Sequence, residues 1–95
     1  MAFPVHLSRR WSDQRWKAKI RDKERLEPPH VSILRGLRTW RLSLRSGKFL
    51  DKEPDPGDVP SGLIEELIEQ WNELRAAWDA IYPENPVESD RDDKH

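Results

Sequence analysis

SGLIEELIEQWNELRAAWDAIY, running from Ser61 to Tyr82, is the one long stretch of this 95-residue chain whose apolar residues keep a single period. Ile64, Leu67, Trp71, Leu74, Trp78 and Ile81 follow one another in steps of three and four, which aligns them along one face of an α-helix. Asp58 or Ser61 is placed to cap it, Glu65 and Glu66 suit the positive end of its dipole, and Pro83 cannot continue it. The spacing therefore predicts one helix ending near Tyr82, with Glu65, Glu66, Glu69 and Glu73 turned outward. Its apolar face needs a cover, and the only other apolar material lies between Val5 and Leu50.

That upstream half reads as strands. Trp16, Ala18 and Ile20 alternate with Arg15, Lys17, Lys19 and Arg21, the period of a strand with one apolar and one basic side. Before it, Phe3 to Arg10 alternates at Val5 and Leu7 and contains Pro4, so it is expected as an edge strand or extended arm, followed by a turn at Ser12 to Gln14. After a charged loop from Asp22 to Glu27, Pro28 and Pro29 force an extended backbone into a strand at His30 to Leu34. A turn at Arg35-Gly36 leads back through Leu37 to Arg45, with Trp40, Leu42 and Leu44 on one side and Thr39, Arg41, Ser43 and Arg45 on the other.

An even loop there sets Val31 opposite Trp40 on the core side, and His30 opposite Arg41 and Ser32 opposite Thr39 on the outer side. A second turn at Ser46-Gly47 pairs Leu44 with Phe49, and the proline-rich Asp51 to Pro60 crosses to the helix. The expected fold class is α+β, a small antiparallel sheet of three to four strands packed on one long C-terminal helix. Residues 1–87 form the single domain, and the charged residues 88–95 are expected as a disordered acidic tail.

Composition narrows the setting. There is no cysteine, which excludes disulfides and thiolate metal sites, and no apolar run approaches the about 18 residues of a membrane span. No signal-peptide core stands at the N-terminus, so a cytoplasmic protein without a membrane role is expected. The net charge of −1 conceals a split: residues 1–48 hold 13 Lys and Arg against 4 acids, and residues 49–95 hold 4 against 14. Such a split points either to a nucleic-acid or acidic partner for the basic half, or to two halves that neutralise each other.

Two candidate sites follow. Arg15, Lys17, Lys19 and Arg21 on one strand, with Arg41 and Arg45 on another, form a basic sheet face suited to phosphates, whose binding releases condensed counterions. The tryptophans fall on the apolar sides, so this face carries no aromatic platform for stacked bases. His30 beside Arg41 suggests general acid–base chemistry on a phosphodiester, with Glu27 or Asp22 to orient the imidazole. The three histidines, His6, His30 and His95, show no ligand spacing, and neither a metal nor a cofactor is expected. Trp71 and Trp78, one heptad apart, suit either a core stripe or a dimer contact.

Pro28-Pro29-His30-Val31, the hairpin through Phe49, and Leu74 with Trp78 together resemble a small bacterial domain of unknown function, marked by Pro-Pro-His at a strand start and a helix ending in Leu-x-x-x-Trp. The likeness covers about residues 17–78. It implies a compact sheet-plus-helix domain and, since members have been suggested to belong to toxin–antitoxin pairs, a protein partner. The second histidine of that motif, two positions after the first, is Ser32 here, which weakens a two-histidine mechanism. The function expected is a small binding module that contacts RNA, DNA or an acidic protein through its basic face. The alternatives are a small ribonuclease using His30 and Arg41, and an interaction protein that forms a homodimer.

Overall fold

The computed structural model describes residues 2–23 and 26–88, so the expected tail from 89 onward lies outside the described residues. In chain order the elements are β1 (Phe3–Pro4), a single helical turn α1 (Arg9–Ser12), β2 (Lys17–Ile20), β3 (His30–Arg35), β4 (Arg38–Ser43), α2 (Ser61–Glu69) and α3 (Trp71–Ile81). A 3-10 turn at Pro56–Asp58 precedes α2. The fold is α+β: four antiparallel strands in the order β1-β2-β3-β4, each beside its sequence neighbour, with helices over one face.

Alternation decides which face is covered. Ala18 and Ile20 of β2, Val31 and Ile33 of β3, and Trp40 and Leu42 of β4 join Leu63, Leu67, Leu74 and Trp78 of the helices in one buried cluster. Of the expected N-terminal strand only Phe3 and Pro4 pair with β2, extended by a bond from the Val5 amide to the Ala18 carbonyl. The chain then coils into α1, which buries Trp11.

The C-terminal helix is two helices and not one. At Gln70 the backbone leaves the helical region (φ −104°, ψ 13°), and the Gln70 side chain donates through Nε2 to the backbone carbonyls of His6 (2.8 Å) and Glu66 (3.2 Å). The buried seam shifts accordingly to Leu63, Leu67, Leu74 and Trp78, while Ile64, Trp71 and Ile81 are only partly buried and Ile68 is exposed. Leu63 and Ile64 are adjacent and both apolar, so a period alone does not choose between them.

Both turn registers also differ from expectation by two residues. Gly36 adopts φ 62°, the left-handed conformation that the first corner position of a two-residue hairpin turn requires, so Gly36-Leu37 is the corner. Val31 consequently lies opposite Leu42, Ile33 opposite Trp40, Ser32 opposite Arg41 and His30 opposite Ser43. Since the shift is even, every side chain keeps its face. Likewise Phe49 bridges to Leu42 and not to Leu44, because the Ser43 hydroxyl closes a wider turn by accepting from the Arg45 and Ser46 amides. No helix among the described residues is long and apolar enough to cross a membrane.

Candidate nucleic-acid interface

The face opposite the helices is built in cross-strand rows. Lys17 lies across from Leu34, which lies across from Thr39; the next row runs Lys19, Ser32, Arg41; beyond it His30 faces Ser43. Of the six cations expected on this face, three turn outward. Arg15 stands in the turn between α1 and β2 with φ 71°, exposed, and Lys17 is exposed beside it. Lys19 is half-buried and flanks Ser32, whose buried hydroxyl has no hydrogen-bond partner among the described residues.

Of the other three, Arg41 and Arg45 are committed to the fold. Arg21 is half-buried, with its Nε shielded from solvent. Arg45 donates to the carbonyls of Val87 (2.8 Å) and Pro86 (2.9 Å), tying the segment after α3 to the end of β4. Arg41 grips Asp51 with two nitrogens, at 2.7 and 2.6 Å, and Glu27 with a third at 2.8 Å. Those two carboxylates hold the Arg41 guanidinium protonated more firmly than usual, the Asp51 bond contributing most against the opposing effect of burial.

His30 and Arg41 do share a cluster, joined through Glu27. Glu27 Oε1 accepts from Arg41 and lies 3.9 Å from His30 Nε2. The His30 side chain, however, is 0% exposed. Its Nδ1 donates to the Pro28 carbonyl at 2.7 Å, and its ring packs against Trp78 with centroids 5.4 Å apart. The segment after α3 seals this end, as the Trp78 indole donates to the Asn85 backbone carbonyl and the Asn85 side-chain Nδ2 donates to the Glu27 backbone carbonyl. An acid–base group must reach the proton it moves, and this imidazole faces protein on every side. Asp22, the other residue expected to orient it, lines a separate cleft with Tyr82 and Asn85.

Two more cations, Arg35 from the expected turn and Arg38 from the expected returning strand, lie on the other side of the sheet, since they alternate with Leu34 and Thr39 and share the face of Ile33 and Trp40. Arg35 and Arg38 face each other at the β3–β4 corner. Arg35 Nε donates to the Gln14 carbonyl at 3.1 Å, and its guanidinium lies 5.0 Å above the Trp16 ring centroid. Arg38 forms an exposed pair with Asp58 at 3.2 Å. It is the corner at Gly36-Leu37 that sets them opposite each other. Among the described residues no cluster of three or more metal-ligating side chains occurs.

Comparison of the chain with models of protein families, with curated proteins and with solved structures returns no match. Fold and topology together define a class: a small α+β domain whose four-stranded antiparallel meander is covered by helices on one face.

Proposed function

We propose that this protein is a small cytoplasmic binding module that contacts nucleic acid through the basic open face of its sheet. An acidic partner protein, as in a toxin–antitoxin-like pair, is the other ligand of matching charge. One observation carries the reading: Arg15, Lys17 and Lys19 stand on the side the helices leave bare, and among the described residues none of them is paired with a carboxylate. Cations left without a partner on a common surface favour a polyanion, because each phosphate they neutralise frees counterions.

The ribonuclease alternative fares less well on the same geometry. His30 is enclosed, and Arg41 sits between two carboxylates, so a phosphate approaching it meets a locally negative group. The deciding experiment titrates the protein into labelled RNA and duplex DNA at two salt concentrations and then runs the nucleic acid on a gel. Binding is expected to weaken with salt with a log–log slope of about −3, from three phosphate contacts, and the Lys17→Ala/Lys19→Ala double variant to lower that slope by about two. Salt-independent binding, or RNA cleavage that disappears in His30→Ala, overturns the reading.

A further inference from the structure

Ser32 stands in the middle of the sheet face that the helices leave bare, with Lys19 directly across from it on β2 and Arg41 directly across on β4. His30 and Leu34 are the next residues on its own side of β3. All four are larger than serine, and Ser32 is 1% exposed among them. Its hydroxyl nevertheless has no hydrogen-bond partner among the described residues. The neighbouring Ser43 differs, since its hydroxyl accepts from the Arg45 and Ser46 amides. A buried hydroxyl without a partner lowers stability, and an apolar group in its place is ordinarily neutral or favourable. Such a group calls for a partner from outside the chain.

The two register neighbours are unequal. Arg41 is fixed by three bonds to Asp51 and Glu27, so its charge is balanced and its side chain is a rigid wall. Lys19 is half-buried and, among the described residues, takes part in no ion pair. Its flexible four-carbon stem can rotate, so the Lys19 side is the one that opens. A ligand entering there meets an ammonium, which has only donors, and a hydroxyl whose proton is available. Both require an acceptor, and the ammonium favours a negative one. Lys17, exposed two residues earlier on the same side of β2, adds a second positive charge. A phosphate oxygen meets each of these requirements, and a hydroxyl bonds it more strongly than a neutral acceptor.

We infer that Lys19 and Ser32 form a seat for one backbone phosphate of the nucleic acid, whose nonbridging oxygen accepts from Ser32 Oγ and Lys19 Nζ once the lysine has turned outward. This rests on the reading of the face as a nucleic-acid surface and names the group on it that receives a phosphate. A contact of this kind fixes where the backbone runs and carries no sequence information. The free protein is accordingly less stable for having the seat, which is not so for a serine that serves only the fold.

The test measures melting and binding for Ser32→Ala and for Ser32→Cys, which keeps a side chain of similar shape with only a weak donor. Without nucleic acid, Ser32→Ala is expected to melt about 4 °C above the intact protein, since it removes a buried group that has no partner. With labelled RNA and duplex DNA, both variants are expected to bind about tenfold more weakly at an unchanged salt slope, equally for different sequences, whereas Lys19→Ala lowers the slope by about one. Binding by Ser32→Ala equal to that of the intact protein overturns the seat. So does weaker binding that comes with a lower melting temperature, the mark of a serine that serves the fold. In either case the face stands as the binding surface if Lys17→Ala/Lys19→Ala binds weakly. Absence of binding by the intact protein overturns both.

Discussion

The two carboxylate oxygens of Glu66 accept three hydrogen bonds: from the Ser8 amide (2.9 Å), the Ser8 hydroxyl (2.6 Å) and the Trp11 indole (2.8 Å). One side chain thus fastens the N-terminal arm to α2. Burial pushes the Glu66 carboxyl upward, but the bonds from Ser8 and Trp11 outweigh it and leave the group more acidic than usual. Asp51 is likewise held low, chiefly by its bond to Arg41. A carboxyl that is more acidic folded than unfolded stabilises the fold fully above the ordinary carboxylate range, and that contribution is lost as pH falls through its lowered value. The melting temperature should therefore decline as pH drops from about 5 to 2, and decline less in a Glu66→Gln/Asp51→Asn variant. Glu66→Ala, which takes the acceptor from three donors at a partly buried site, should cost about 2–3 kcal/mol in denaturant unfolding.

Among the elements, α1 and α2 approach so closely that a Cβ built on Gly62 would lie 2.8 Å from Trp11 Cζ2. Helix propensity favours Gly62→Ala by about 0.5–1 kcal/mol, whereas wedging a methyl group against a buried indole costs about 1–3 kcal/mol. We expect a net loss of stability, and a gain in denaturant midpoint would show that α1 is free to move aside. The strand faces were legible because alternation survives any even slip of register, which is why Ala18, Ile20, Val31, Ile33, Trp40 and Leu42 point as expected. The break at Gln70 was not, since nothing local forces it and its side chain answers to His6, far away in sequence. The candidate site was half legible. Lys17 and Lys19 stand out on their strand, but nothing in the spacing reveals that Arg41 and Arg45 are occupied by Asp51, Glu27 and the carbonyls at 86–87.

At the scale of the whole molecule, the charge split between the two halves of the chain is partly internal. Arg41 with Asp51 and Arg38 with Asp58 each join a base of the first half to an acid of the second. What remains uncompensated on the open face sits at the end of the sheet near Arg15 and Lys17. The sheet in turn depends on the helices, because Leu63, Leu67, Leu74 and Trp78 complete its core. A fragment of residues 1–60 should consequently show no cooperative unfolding transition, and a sharp melt from it would mean that the sheet is self-sufficient.

The succession of elements gives this dependence a direction in time. Each strand pairs with the one made just before it, so the meander can assemble as the chain leaves the ribosome, but the residues that cover it are translated after it. Until Trp78 emerges, a nascent chain carries Val31, Ile33, Trp40 and Leu42 on a bare surface, and Glu66 arrives long after the Ser8 and Trp11 that it fastens. A nascent chain in which Trp78 has not yet emerged therefore cannot close its core, and it is a substrate for chaperones or proteases.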